Sequence, residues 1–433
     1  MANVSTPALE MAPSRSSASM TDKGVIPFLA CIFATVASPV LIALTANPVK
    51  TLLDVMAPRN ENKVVWPLLA AMAIASTVRH RGRLDGLRWP PHIVILFAYL
   101  ALAATSVLWA IKPEFTFVRS MQQAMVITSI VLPAMLAVRT ADLVRGLYVC
   151  FTIAMVLNLI FVFINPPIDF KFATWGYPGY FSGKNYLGEC AATAFLLALY
   201  EMRRPGSRRA LAIVVAGIAI TLLFMSNSKT SIGLAFSVPF LAGLTLIIAR
   251  TTGISPAYLL MSIPISFIVL STLTGFSVNR LSFMLYGDST FTGRSIIWDF
   301  VNLEIARRPI LGWGYQSFWL VGADGPSILD APGWVKGMPN AHNGYLDTML
   351  EMGYVGFVLL TLFVVTTLHA IGRVAERDPA RAWIILSLVL FIIITNGLES
   401  WWMRGFEMLW VVFLILAAEI ARYCQPVQRG PAP

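Results

Sequence analysis

The sequence predicts an all-α polytopic membrane protein, with about twelve transmembrane helices and one large outer loop that carries an amphipathic helix. Three observations lead there. The 433 residues are 57% hydrophobic and only 12% charged, with a mean hydropathy of +0.72, too apolar for a soluble globular chain. Apolar runs of about 17 to 25 residues recur from one end to the other, each long enough to cross roughly 30 Å of hydrocarbon. Finally, Lys and Arg collect in alternate links between those runs. With a cytoplasmic N-terminus, 18 of the 32 basic residues but only 8 of the 22 acids face the cytoplasm. The whole net charge of +10 then lies on one face, as the positive-inside rule requires. The basic pI is thereby a topology signal, and nucleic acid is excluded as a partner.

Residues 1–24 are rich in Ser, Ala and Pro and read as a disordered cytoplasmic tail. Nine spans fill 25–274, beginning near Val25, Val64, His92, Met121, Arg145, Tyr186, Arg209, Lys229 and Ser255. Three more fill 342–424, from near Tyr345, Ala382 and Phe406, and 425–433 form a second cytoplasmic tail. Between the two groups lies the loop 275–341, too long to be a simple connection. Its centre, "TGRSIIWDFVNLEIARRPILGWG", places Ile296, Ile297, Phe300 and Val301 at helical spacing, with Glu304 and Arg308 as an i,i+4 pair. Pro309 and Gly312 end that helix, which is expected to lie on the outer membrane surface. Cys31, Cys150, Cys190 and Cys424 fall in spans or in the cytoplasmic tail, so no disulfide framework or cysteine zinc site is implied.

Four polar stretches interrupt the apolar sequence, and all four fall on the outer side: "FSGKNYLGE" (181–189), "SNSKTSIG" (226–233), "DSTFTGR" (288–294) and "MPNAHNGYLDTMLEMGYVG" (338–356). The last contains His342. His80, His92 and His369 map to the cytoplasmic side, which leaves His342 as the one outer imidazole. Each feature has a plain structural alternative. Asn340 or Asn343 can cap the tenth span, Lys184 and Lys229 can snorkel at span ends, and Arg294 can be a solvated charge. Glu351, two turns into a span, is costly unless paired or wet. Their convergence on one face favours a site there. A carrier would place its charges near the midplane instead.

One imidazole beside several cations suits transfer from an anionic lipid-linked donor. Cations hold a diphosphate and offset its charge as it leaves, while a histidine takes the proton of an attacking hydroxyl. There is no dense carboxylate cluster or second outer histidine for a metal, and no Gly-rich nucleotide loop, so no cofactor is expected.

"HNGYLDTMLEMGYVG" reads as His-Asn, nine residues, then Gly-x-x-Gly: His342, Asn343, Gly353 and Gly356. With "TGRSIIW", "PILGWGYQSF" and the single large loop, the chain resembles the family of O-antigen ligases and of O-antigen and exopolysaccharide polymerases. "FSGKNYLGE" is especially similar to the exopolysaccharide branch. The resemblance implies transfer of glycan en bloc from undecaprenyl diphosphate to an acceptor sugar hydroxyl, at the periplasmic face of a bacterial inner membrane and without a metal. His342 becomes the base, and Lys184, Asn185, Lys229, Arg294, Asn343 and Glu351 become substrate- or diphosphate-binding residues. Lys229 stands where many relatives have arginine, offering a point charge rather than a fork. Gly353 and Gly356 are expected to allow close helix packing behind the histidine. The acceptor is either a growing glycan, which makes a polymerase, or lipid A-core, which makes a ligase; other polysaccharide assembly proteins are partners that fit. A polysaccharide or lipid transporter is the reading from another class.

Overall fold

The computed structural model describes residues 25–45, 61–136 apart from Asp85, 142–166, 175–275 and 293–425, together with Arg280 and Met284. Among the described residues there are helices and no strands. Eight helices are long and apolar enough to cross a membrane: α1 (Val25–Thr45), α3 (Pro91–Leu108), α4 (Pro113–Leu136), α5 (Leu143–Ile164), α7 (Ser207–Met225), α8 (Lys229–Thr252), α9 (Pro256–Thr274) and α11 (Gly344–Arg377). Four others stand at the remaining expected positions: α2 (Asn62–Arg79), α6 (Lys184–Glu201), α12 (Pro379–Thr395) and α13 (Met408–Tyr423). The helix of the large loop is α10 (Arg294–Arg307).

Burial separates these groups. Every residue of α6 from Leu187 to Ala198 is buried, as is every residue of α13 from Met408 to Ala421. α6 lies among α5, α7, α8 and α12, and α13 packs on α1, α4, α5, α11 and α12. Helices shielded all round by protein need neither full span length nor an unbroken apolar surface. This is why α6 tolerates Lys184, Glu189 and Glu201, and why α13 suffices with 16 residues. At the rim the pattern inverts. α9 buries only Pro256, Ala257 and Leu260 of its 19 residues and exposes Ile263, Ile265, Ile268 and Val269, an apolar surface suited to lipid.

α4 begins at Pro113, a full two turns before the apolar run that marks it in the sequence, because Glu114 and Arg119 interrupt its first turns, and Thr116 there donates to the Tyr315 carbonyl of the loop at 3.0 Å. α1 contains a π-helical turn, Phe33–Ala37, and the Thr35 carbonyl accepts a hydrogen bond from the buried Tyr180 hydroxyl at 2.9 Å.

Two expectations are corrected. The apolar face of α10 does not lie on a membrane surface. Ile297, Phe300, Val301 and Ile305 pack on Phe318, Trp319, Ala331, Val335 and Ala341, so the loop has its own small core. Aromatic rings supply enough apolar area within the loop to bury that face against protein. Ile296, the fourth residue of the predicted stripe, is exposed, and Glu304 pairs with Arg307 at 2.8 Å rather than with Arg308. The second correction concerns Gly353, which does not serve helix–helix packing. It breaks α11, with φ 62° and ψ −166°. The segment Pro309–Gly314 enters that break. Tyr354 and Val355 donate to the Pro309 and Ile310 carbonyls at 2.8 and 3.3 Å, and Trp313 and Gly314 donate to the Leu350 and Glu351 carbonyls at 3.0 and 2.9 Å. A Cβ on Gly353 would lie 2.1 Å from the Ile310 carbonyl oxygen, so only glycine fits.

Candidate active site

The site assembles where α11 starts. Asn343 is the N-cap: its Oδ1 accepts from the Tyr345 and Leu346 amides at 3.0 and 3.1 Å, and its own N–H donates to Ser400 Oγ at 3.0 Å. Gly344 donates to the carbonyls of Asn396 and Glu399 at 2.8 and 2.9 Å, and a Cβ there would meet Asn396 Oδ1 at 2.4 Å. The link between α12 and α13 is thereby wrapped around the first turn of α11.

His342, just before this cap, holds a left-handed φ of 49° and donates its N–H to Asn340 Oδ1 at 2.9 Å. A non-glycine residue in that region carries roughly 1–3 kcal/mol of strain that its surroundings must hold in place. The strain aims the imidazole at Glu399, whose Oε2 lies 3.0 Å from Nδ1. The other oxygen, Oε1, accepts from Arg294 at 2.6 Å and from Asn185 Nδ2 at 2.7 Å. One carboxylate, only 10% exposed, thus joins three elements: α10 through Arg294, α6 through Asn185, and the start of α11 through His342. A carboxylate at Nδ1 fixes the neutral ring as the Nδ1–H tautomer and leaves the Nε2 lone pair free to accept a proton.

Lys184 and Lys229 are the first residues of α6 and α8. The two helices start side by side because Gly188 lets α6 close on the turn before α8; a Cβ on Gly188 would lie 2.6 Å from Ser228 Cβ. The ammonium groups are near enough to repel one another, and Lys184 Nζ also reaches the Asn227 carbonyl at 3.4 Å. Two helix N-termini with two lysines form an anion-attracting corner, one residue from Asn185. His80 and His92 bond to the Ser76 and Ala417 carbonyls, and His369 meets Ser255 Oγ at 2.9 Å, roughly 40 Å along α11 from His342 by helical rise.

Residues 213–361 match the family model described as O-antigen ligase. Over that stretch the chain is similar to the O-antigen ligases. Among similar proteins, the exopolysaccharide production protein ExoQ of Rhizobium meliloti (strain 1021) is 27% identical over 318 residues, covering 68% of each chain. Proteins named "putative polysaccharide ligase" in Rickettsia conorii and Rickettsia felis are 28% and 27% identical over 127 residues, covering 28% of this chain and about 30% of theirs.

The matched segment contains Lys229, Arg294, His342, Asn343 and Glu351, while Lys184 and Asn185 precede it and Glu399 follows it. Of these, the structure brings His342, Arg294 and Asn185 together on Glu399, with Lys184 and Lys229 beside them. Asn343 shapes the backbone. Glu351 stands apart: Arg404 pairs with it at 2.8 Å and the Gln316 amide donates to it at 3.0 Å, while Arg404 also reaches Asp347 at 3.3 Å. Through these contacts it ties the loop and the α12–α13 link to α11. Glu399 and Arg404 escaped the sequence reading. Both lie in "NGLESWWMRG", and an acid and a base flanking two tryptophans, on the same predicted face as His342, were the available signal.

Proposed function

We propose that this protein is a glycosyltransferase of the periplasmic face of a bacterial inner membrane. In this reading it moves a glycan en bloc from undecaprenyl diphosphate to an acceptor sugar hydroxyl, polymerising exopolysaccharide or O-antigen repeat units. The observation that carries the proposal is the Glu399–His342 pair, with Nδ1 held and Nε2 free. Nε2 takes the acceptor hydroxyl proton as the oxygen forms its bond to the anomeric carbon. The bond from that carbon to the diphosphate breaks, and the electron pair leaves with the lipid diphosphate. Lys184, Lys229 and Arg294 offset the charge that develops there. Arg294 also contacts Glu399, so the donor-binding cation and the base share one anchor. The step is balanced without a metal or cofactor.

Polymerisation is favoured by the ExoQ relative, which matches over two thirds of both chains, whereas the Rickettsia polysaccharide ligases match over less than a third. The description of the family model supports the second reading, transfer of finished chains to lipid A-core. The test is His342→Ala, purified in detergent with lipid-linked donor and a chelator. The variant should bind donor yet lose on the order of 10²- to 10⁴-fold in rate, the usual worth of a general base. Near-normal turnover by this variant, or wild-type activity abolished by the chelator, would overturn the mechanism. In a deletion strain, single repeat units left on carrier lipid indicate a polymerase, and long free chains with bare core indicate a ligase.

A further inference from the structure

α11 is longer than a membrane needs. Its 34 residues extend about 50 Å, while the hydrocarbon requires about 20 residues. Asp347 and Glu351 lie before Gly353, and from Tyr354 to Ile371 the helix carries no acid, lysine or arginine. The hydrocarbon boundary at the loop end therefore falls near Gly353, where Pro309–Gly314 is bonded into the helix. Below that point Val358 and Leu362 are exposed as lipid-facing residues, and Tyr354 and Val355 continue the same surface upward. Ile310, whose carbonyl binds Val355, is 65% exposed, and Leu311 is 41% exposed. A second element reaches the same level. Trp109, at the end of α3, donates its indole N–H to the Leu311 carbonyl at 3.0 Å, and its neighbour Leu108 is 86% exposed. Arg308 borders the patch, with its guanidinium 4.2 Å from the Trp313 ring centre and bonded to the Trp109 carbonyl at 3.3 Å.

We propose that Pro309–Gly314 is a lipid-seated wedge: Ile310 and Leu311, with Leu108, sit in the acyl chains at the loop-end leaflet, and Arg308 lies at the phosphate level. Three features commit the patch to lipid. It continues the lipid-facing surface of α11 without a break, it stands at the depth set by the apolar length of that helix, and it is edged by Trp, Tyr and Arg, the side chains that favour the interface. The consequence is a fixed height. Residues 344–352 raise the start of α11 roughly 14 Å above the hydrocarbon, past the roughly 5–7 Å headgroup layer of that leaflet. Clamped at Gly353 and seated by Ile310 and Leu311, the helix cannot sink, and His342 stays at a fixed height just outside the headgroups. The seating rests on the membrane reading of the spans and not on the transferase chemistry, so its test requires no turnover.

The four native cysteines are buried, so a thiol introduced on the surface is the accessible one. Ile310→Cys and Leu311→Cys, with Val358→Cys as the lipid control and Asn302→Cys as the water control, would be spin-labelled in nanodiscs of phosphatidylethanolamine and phosphatidylglycerol. Collisions with oxygen and with a water-soluble nickel chelate are then compared. The expected result is an oxygen-to-nickel ratio at 310 and 311 that lies with the Val358 label and well above the Asn302 label. A ratio at 310 and 311 equal to that at 302 means that the segment stands in water. Low collision with both reagents means that protein, such as a second copy of the chain, covers the patch. A water-like Val358 label removes the boundary itself. Each of these three results overturns the proposal.

Discussion

Replacing Glu399 by glutamine tests the site at its hub with a minimal change of shape. In the native site Oε1 takes two donors, Arg294 at 2.6 Å and Asn185 at 2.7 Å, and Oε2 takes His342 Nδ1 at 3.0 Å. Glutamine has one acceptor oxygen. Turning its amide NH₂ toward Arg294 and Asn185 would face two donors with a third and forfeit a hydrogen bond to a charged group, at about 1.5–3 kcal/mol. The oxygen therefore stays with Arg294 and Asn185, and the NH₂ faces His342. Nδ1 must then accept rather than donate, so the ring adopts the other tautomer and Nε2 carries a hydrogen. A base already protonated on its working nitrogen cannot act, and turnover should fall on the order of 10²- to 10⁴-fold, as when a triad carboxylate is replaced by its amide. Stability should fall by only about 1–2 kcal/mol, since a single charge-assisted contact is weakened. The assay is single-turnover transfer from lipid-linked donor by purified protein, alongside donor binding and the nitrogen NMR shifts of His342. Turnover within a few-fold of wild type, or an unchanged Nδ1–H tautomer, would refute the argument.

Three further perturbations probe the surroundings. Gly353→Ala places a Cβ 2.1 Å from the Ile310 carbonyl in a backbone conformation that is nearly glycine-only, so it should cost at least about 3 kcal/mol and visibly lower the thermal midpoint in detergent. Lys184→Ala and Lys229→Ala should weaken donor binding while membrane insertion stays intact, and Lys229→Arg should retain more binding than Lys229→Ala; unchanged polymer output from both alanine variants would return these lysines to helix-end anchoring. Glu304 is held above the usual carboxylate range by burial, although Arg307 pulls the other way, and its Oε2 has no hydrogen-bond partner. Because the folded-state value is the higher one, stability is greatest below the unfolded value and is lost as pH rises through the folded value. Glu304→Gln should therefore flatten that part of the melting profile between mildly acidic and neutral buffers; an unchanged pH dependence would contradict it.

Local sequence settled whatever depends on where a residue prefers to be. Apolar runs marked helices beside lipid, and the four polar stretches marked the end at which His342, Arg294, Asn185, Lys184 and Lys229 meet. Asn343 before a glycine and an apolar run was legible as a cap, and it is one. Tertiary structure decided what depends on partners far along the chain. Glu399 lies 57 residues from His342, and no periodicity links them; only the wrapping of the α12–α13 link around α11 places the carboxylate at Nδ1. The apolar stripe of α10 was equally compatible with lipid or with a loop core, because hydrophobicity has no direction and does not name its partner. Gly353 could have marked a close helix contact or a break, since in either case the sequence records only that a Cβ has no room. α6 and α13, too polar or too short for spans by themselves, are accommodated because neighbouring helices stand between them and the lipid. Solvation preference is written residue by residue, whereas the pairing of buried charges is a property of the assembled bundle.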